Sequence, residues 1–247
     1  MTNDIRDIQS SPEQPTIDQQ KDYWDCRWDK TRTPNDWMIR RGQTILSFLS
    51  GVKLEQAKFL DIGCGTGWFT AELAKIGSAT GIDLSEEAIG LAKSQYPHVT
   101  YIAGDLYENH FSDNSFDVVV AQEVIPHVQD QERFLEIIGD ILKPDGYLVL
   151  TMVNKFVMDR TDWDHGPSSH IVKWLGKKEI IHKLQPHFKI LKTTTIIPIG
   201  NKGIMKLINS YKLNKMLHLV FSQKTIDNIK ERAGLGYTRI IYAKMIK

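Results

Sequence analysis

Short apolar runs alternate with amphipathic stretches through the middle of this chain. Five runs in the region from residue 58 to about 150 are rich in β-branched and apolar side chains: KFLDI, ATGID, VTYIAGD, FDVVVAQE and GYLVLTMV. Such runs are typical of buried parallel strands, and the segments between them have helical spacing. Strands that alternate with helices predict a doubly wound α/β domain with a mostly parallel sheet.

The helices between these strands have recognisable ends. The first is predicted over residues 68–76 and stops at Gly77, a residue that commonly follows a helix C-terminus. Ser85 and Asp130 are predicted N-caps of the next two helices, because their side chains accept hydrogen bonds from free backbone N–H groups.

Two further strands are predicted at residues 188–198 and 237–246. Between them, residues 199–236 read as a helical cap insertion. Residues 21–51 read as N-terminal lid helices, and residues 1–20 as a flexible polar tail without a hydrophobic signal segment. We therefore predict a single domain over residues 21–247, with its core at residues 58–150.

Composition narrows the class of protein. The chain has 247 residues, of which 41% are hydrophobic and 25% charged, and no apolar run approaches the ~18 residues of a transmembrane helix. Its two cysteines, Cys26 and Cys64, lack metal-like or redox-like spacing, which favours a cytoplasmic location and predicts no metal site.

The charge is distributed unevenly along the chain. The net charge is +1, but residues 202–247 contain ten Lys or Arg against two Asp or Glu. This basic end is consistent with a solvated helical face, an anionic substrate or weak peripheral membrane contact. In the insertion, apolar residues at 213, 216, 217 and 220 favour packing as a cap over a membrane anchor.

Three glycines at alternate positions follow the first predicted strand in FLDIGCGTGWF. Glycine permits positive φ and leaves no Cβ between the backbone and a ligand. A dinucleotide-binding loop would read G-x-G-x-x-G. Here the third glycine comes one residue early and Trp68 follows it, so the spacing argues against a nicotinamide dehydrogenase.

Carboxylates stand in or just after the first three predicted strands. Asp61, Asp83 and Asp105 are expected to share the carboxyl edge of the sheet, where open α/β folds bind ligands. Three acids suit a nucleoside with a cationic end better than a pyrophosphate. The alternative is that Asp83 and Asp105 only cap the following turns.

The ordered motifs LDIGCGTG, GIDLS, AGDL, FDVVVAQEVIPHV and LKPDG resemble those of class I S-adenosylmethionine-dependent methyltransferases. The resemblance is strongest to the small-molecule group typified by ubiquinone and menaquinone biosynthesis. It implies a seven-stranded Rossmann-like sheet whose last strand, residues 237–246, is antiparallel. It also implies S-adenosylmethionine as cofactor and S-adenosylhomocysteine as product.

The resemblance also implies a cofactor site. Asp61 would hold the amino group of the cofactor, Asp83 the ribose hydroxyls and Asp105 the adenine amino group. The full set of implied cofactor-binding residues is Asp61, Gly63, Cys64, Gly65, Thr66, Gly67, Trp68, Asp83, Leu84, Asp105, Leu106 and Gln122.

We predict the residues around the methyl acceptor by looking for side chains that could remove a proton from its oxygen or nitrogen atom. The candidates are His127, His170 and Glu123, with Tyr23, Trp24, Trp28 and His165 as candidate lid or substrate residues. Relatives often have an acidic residue before the histidine, where this chain has Pro126.

The acceptor itself is predicted to be a small metabolite rather than nucleic acid, because the net charge is near zero and AQEVIP is not a base-methylating motif. Two alternatives remain at this stage: a lipidic or quinone-type acceptor at a membrane surface, and a non-catalytic cofactor-binding protein. The sequence leaves the oligomeric state open.

Overall fold

The computed structural model describes residues 15–30, 33–163 and 170–246. Its centre is one sheet of seven strands in the order β3-β2-β1-β4-β5-β7-β6. Strand β7 runs antiparallel to both of its neighbours, and all other pairs are parallel. The strands are β1 (Lys58–Ile62), β2 (Ser78–Asp83), β3 (Thr100–Ala103), β4 (Phe116–Gln122), β5 (Leu142–Val153), β6 (Phe188–Ile196) and β7 (Thr238–Met245). The predicted α/β fold with seven strands is confirmed.

Ten helices among the described residues surround the sheet, and a short 3₁₀ helix, Ile125–His127, follows β4. The helices are α1 (Ile17–Lys30), α2 (Asp36–Leu49), α3 (Trp68–Ala74), α4 (Glu86–Gln95), α5 (Gln131–Ile141), α6 (Lys155–Met158), α7 (Lys177–Leu184), α8 (Gly203–Ile208), α9 (Tyr211–Leu217) and α10 (Gln223–Arg232). Ser85 and Asp130 cap α4 and α5 as predicted.

The central strands are buried on both faces, which explains their continuous apolar runs. On one face, Phe59 and Val120 pack with Ile45 of α2 and Phe69 of α3. On the other face, side chains of β1 and β4 pack with those of α5 and α7. This double cover makes the edge formed by the strand ends the open side of the sheet.

Strands β1 and β4 are parallel neighbours in the sheet, although β2 and β3 lie between them in sequence. The order in which strands are added to the sheet therefore changes sides between β1 and β4. Ile62, the last residue of β1, is in register with Ile82 of β2 and Ala121 of β4. The carboxyl ends of these strands therefore meet at the switch point, where open α/β sheets form their binding crevice.

Two details of the sequence prediction are corrected. Helix α1 begins at Ile17, inside the segment read as a flexible tail, because Thr16 and Gln19 form a reciprocal capping box. In the insertion, the predicted packing of α9 as a cap is incomplete: Leu213 and Leu217 are half-buried, whereas Met216 is exposed. Among the described residues, no helix has the length and apolar character needed to cross a bilayer.

Candidate functional site

A cavity of about 710 Å³ lies at the carboxyl ends of β1 to β4. The strand ends supply one wall through Asp61, Asp83, Asp105 and Gln122. Helices α1 and α2 supply the facing wall, including Trp24, Trp28 and Trp37. The site is therefore a cleft between the sheet edge and the N-terminal helices, large enough for a nucleoside-sized ligand.

The glycine loop after β1 has an unusual backbone. Gly63, Gly65 and Gly67 all have positive φ, at 67°, 52° and 80°. A Cβ on Gly65 would lie 2.6 Å from the indole of Trp28, and one on Gly67 would lie 2.6 Å from the hydroxyl of Tyr101. The glycines thus accommodate protein side chains as well as the loop conformation, and their presence alone does not require a ligand.

Asp61 gives a more direct sign of a ligand. It is buried, and one carboxylate oxygen, Oδ2, accepts a hydrogen bond from the hydroxyl of Thr70 at 2.7 Å. The other oxygen, Oδ1, is buried without a hydrogen-bond partner, and Asp61 lines the cavity. Burial, with a smaller contribution from Asp83, raises the pKa of Asp61 to about 7, although the hydrogen bond from Thr70 opposes this rise. A buried acceptor of this kind calls for a cationic donor.

Asp83 organises the loop while facing the cavity. Its Oδ2 accepts from the backbone N–H of Gly65 at 2.7 Å, and its Oδ1 accepts from the N–H of Ser85 at 2.9 Å. Burial raises its pKa to about 6, while these backbone donors lower it. Each oxygen retains a second lone pair, so Asp83 can still accept from a hydroxyl of a bound ligand.

The remaining predicted cofactor residues divide into two groups. Those that line the cavity are Gly63, Cys64, Trp68, Leu84, Asp105, Leu106 and Gln122. Gly65, Thr66 and Gly67 form the second group: the indole of Trp28 lies against Gly65, Thr66 is buried, and the carbonyl of Gly67 accepts from the hydroxyl of Tyr101. Their predicted contact with a cofactor stays a prediction.

Helix α1 lies over the glycine loop and is held there by polar contacts with the N-terminus of α4. Asp25 accepts hydrogen bonds from the hydroxyl of Ser85 and the backbone N–H of Glu87, at the N-terminus of α4. Lys21 adds an exposed ion pair with Glu86 at 2.8 Å. Together with Trp28 on Gly65, these contacts make α1 a wall of the site.

The acceptor-side candidates form a cluster of rings. His127 lines the cavity, and its ring lies 5.0 Å from those of Trp24 and His170. Tyr23 stacks on His170 with ring centres 3.9 Å apart. The structure therefore brings four of the predicted residues together, with Tyr23 and His170 beside the cavity-lining pair. His165 lies outside the described residues.

The hydrogen bond of His127 determines which of its ring nitrogens carries the proton. Its Nδ1 lies 3.0 Å from the carbonyl oxygen of Ile171, which can only accept, so Nδ1 carries the proton and Nε2 is the basic atom. Burial lowers the pKa of His127, as does Arg27. Burial, followed by His127 and Arg27, lowers the pKa of His170 to about 4. Both rings are thus neutral near pH 7.

Arg41 is a cavity residue that the sequence analysis did not identify. It lies on α2, donates to the side chain of Gln122 at 2.9 Å and pairs with Glu123 at 3.3 Å. Burial raises the pKa of Glu123, while Arg41 and the hydroxyl of Thr151 oppose that effect. The arrangement places a cation beside the methionine-side candidate Gln122, where a carboxylate of a ligand could bind.

Replacing Arg41 with methionine is expected to lower the free energy of unfolding by about 1–3 kcal/mol, because it leaves the half-buried carboxylate of Glu123 without its ionic partner. Urea unfolding measures the change. The variant Arg41→Met/Glu123→Gln should recover most of the loss. As a control, Lys75→Met breaks the exposed pair with Glu72 and should cost less than ~0.5 kcal/mol. Equal losses in both single variants would contradict the assignment.

Comparison with known proteins agrees with this geometry. Residues 60–150 match the family model described as a methyltransferase domain. The chain is 39% identical over 123 residues to the mitochondrial ubiquinone biosynthesis O-methyltransferase of Bos taurus, covering 46% of this chain and 33% of that protein. It is 32% identical over 129 residues to the ubiquinone biosynthesis O-methyltransferase of Rhizobium leguminosarum bv. trifolii, covering 50% and 51%.

A solved structure extends the likeness beyond the matched core. The N-methyltransferase NodS of Bradyrhizobium japonicum, solved with S-adenosylhomocysteine, superimposes with a TM-score of 0.62 at 18% identity, over 91% of this chain and 99% of that one. The chain spans only a third to about half of the curated relatives it matches. Residues 60–150 therefore match a methyltransferase domain, and most of the chain around them shares the fold of that solved structure.

Proposed function

We propose that this protein transfers a methyl group from S-adenosylmethionine to an oxygen or nitrogen of a small-molecule acceptor. The observation that carries the proposal is Asp61, which lines the cleft at the switch point of the sheet and whose buried Oδ1 has no hydrogen-bond partner among the described residues. The amino group of an amino-acid cofactor is the kind of donor that such a carboxylate needs.

The chain offers a partner for each part of the cofactor. Asp61 would hold the ammonium group, and Arg41 is placed to hold the carboxylate of the same amino acid. Asp83 would accept from the ribose hydroxyls, and Asp105 from the adenine amino group, with Leu84 and Leu106 packing on the base. When bound, S-adenosylmethionine supplies a methyl carbon activated by a positively charged sulfur.

The residues of the chain would then position the acceptor and take its proton. Trp24, Trp28 and Trp37 give the cleft a largely aromatic wall, which excludes water and orients a compact, partly apolar acceptor. His127, neutral and with Nε2 as its basic atom, would receive the acceptor proton. Glu123 is held by Arg41 and Thr151, so we assign it to positioning rather than to proton transfer.

A lipidic, quinone-type acceptor is the second candidate. Two curated relatives are named for ubiquinone biosynthesis, and the insertion exposes a run of large apolar side chains, Leu219, Val220 and Phe221.

We place the reaction in a reducing cytoplasm, which is supported by both cysteines being free.

Calorimetry with S-adenosylhomocysteine and, separately, with NAD tests the cofactor. Binding of the first alone is expected, whereas binding of NAD alone would overturn the proposal. A metabolite pool incubated with protein and S-adenosylmethionine is then screened by mass spectrometry for a product heavier by one methylene. The variant Asp61→Asn, which should not bind the cofactor well, is the control for background methylation. A bound cofactor with no product across broad pools would favour a non-catalytic binding protein.

A further inference from the structure

One surface of the insertion is apolar and unusually exposed. We define the apolar–basic face as the outward side chains of α8, α9 and the turn after them. Leu219 and Val220 are 83% and 76% exposed, and their apolar neighbours are also open to solvent: Ile204, Leu207, Tyr211, Met216 and Phe221. Contiguous exposed apolar surface on a folded protein marks an interaction site.

The opposite side of the same helices is firmly anchored. Met205 of α8 is buried, and the side chains of Asn209 and Asn214 accept hydrogen bonds from the ammonium of Lys230 at 3.1 and 2.9 Å. Lys230 itself is buried on α10. These polar contacts hold α8 and α9 against α10, and they leave the exposed apolar side chains of the face open to solvent.

The charged side chains in and beside the apolar–basic face are mainly lysines, so its charge is positive. Lys206, Lys212, Lys215 and Lys224 are exposed in or beside it, and residues 180–226 contain no Asp or Glu. Within the part of the chain that the structure describes, Lys202 pairs with Asp162, and the four lysines named first form no ion pair. Cationic side chains beside exposed aliphatic and aromatic residues match the interface of an anionic bilayer.

The face adjoins one wall of the cavity. Lys202, just before α8, pairs with Asp162, and the next residue, Trp163, has its ring 5.7 Å from that of Trp37. Trp37 lines the cavity. Trp163 is itself 47% exposed, so a surface that covers α8 and α9 would lie close to the aromatic wall of the site.

We propose that the apolar–basic face binds the surface of an anionic lipid bilayer, with its apolar side chains in the headgroup region and its lysines on the lipid charges. A symmetric contact between two copies would bring the lysines of one copy against those of the other, which is unfavourable. The proposal does not depend on methyl transfer, and its test needs neither cofactor nor acceptor.

The test is co-sedimentation of the full chain with vesicles at low and high salt. One set contains phosphatidylcholine alone, and the other equal parts of phosphatidylcholine and phosphatidylglycerol. Binding to the anionic set that weakens at least tenfold on adding salt is expected, because the attraction of the lysines is screened. Leu219→Glu/Val220→Glu and Lys206→Gln/Lys212→Gln/Lys215→Gln should each weaken binding at least tenfold.

Matched controls come from exposed residues elsewhere. Ile76→Glu adds one charge at an exposed apolar position, and Lys177→Gln/Lys178→Gln/Lys189→Gln removes three exposed lysines. Both should bind vesicles like the parent, and unchanged circular dichroism shows that each variant is folded. No binding to anionic vesicles at low salt would overturn the proposal. So would self-association in analytical ultracentrifugation that Leu219→Glu/Val220→Glu abolishes without any vesicle binding, since the face would then join two copies.

Discussion

Replacing Asp61 with asparagine should weaken binding of S-adenosylhomocysteine at least tenfold at pH 8. Asparagine nearly preserves the volume of Asp61 and can still accept from Thr70, but it carries no charge to pair with the ammonium of the ligand. Loss of a hydrogen bond to a charged partner costs about 1.5–3 kcal/mol, which corresponds to roughly a tenfold to hundredfold change in affinity. Isothermal titration calorimetry measures it directly.

The same residue makes binding depend on pH. In the free protein burial raises the pKa of Asp61 to about 7, so near pH 7 the carboxyl is partly protonated. A bound ammonium favours the charged form, so binding releases a proton and affinity should rise between about pH 6 and 8 and then level off. Asp61→Asn should lose most of this rise and keep only the part due to Asp83, whose pKa is about 6.

The free energy of unfolding should change with pH in the opposite direction to the cofactor affinity. Because the pKa of Asp61 in the folded state, about 7, lies above its ordinary 3.8, the folded protein holds this proton more tightly than the unfolded chain does. Its contribution to stability is therefore lost as pH rises towards 7. The stability of Asp61→Asn relative to the parent should increase from pH 5 to pH 8 by about 1–3 kcal/mol in urea unfolding.

Asp145→Asn provides the control for both measurements. Asp145 is an exposed carboxylate in the first part of β5, paired with Lys244. This substitution should leave the affinity and its pH slope unchanged. Equal affinities for the parent and a folded Asp61→Asn, or parallel pH slopes in the two, would remove Asp61 from the cofactor site.

Much of this architecture was predictable because its signals are local. Each strand was predicted from a run of consecutive residues, and the caps of α4 and α5 from single side chains, Ser85 and Asp130. The start of α1 was also readable: Thr16 and Gln19 have the spacing of a capping box, a signal the prediction of a flexible tail overlooked.

What escaped prediction depends on residues that are far apart in sequence. Arg41 is one of several arginines in its segment, and only the packing of α2 against β4 brings it to Gln122 and Glu123. The glycine loop illustrates a subtler case. The spacing correctly pointed to a close approach, yet at Gly65 the approaching group is Trp28, which no local pattern links to the loop.

The insertion shows how one pattern can fit two environments. Apolar residues at helical spacing predicted a packed cap, but periodicity does not reveal whether the apolar side of a helix meets protein or another apolar phase. In the structure, polar contacts of Asn209 and Asn214 with Lys230 hold α8 and α9 against α10. Leu213 and Leu217 of α9 are half-buried, whereas Met216 and Val220 are exposed. The excess of lysine around the insertion is the sequence feature that favours the proposed bilayer contact.

The second large effect is expected at His127. Replacing it with glutamine, which can still donate to the carbonyl of Ile171 but cannot take a proton, should lower kcat by about 10²–10⁴-fold with the acceptor found in the product screen. Cofactor affinity should stay within about twofold, because we assign His127 to the acceptor and the cofactor contacts to Asp61 and Asp83. His182→Gln, at an exposed position on α7, is the matched control and should leave kcat unchanged.

The pH profile separates a base from a residue that only shapes the cleft. A base must be neutral, so kcat at saturating cofactor should fall as the pH drops through the pKa of His127, which burial places below the ordinary 6.5. In His127→Gln, kcat should be low and should no longer fall as the pH drops through this range. His170→Gln should lower kcat less and keep the fall at low pH, because His170 stacks on Tyr23 beside the site and does not line it. If instead the fall at low pH persists in His127→Gln and disappears in His170→Gln, the proton goes to His170, and the Nδ1 bond of His127 to Ile171 serves to hold the aromatic wall.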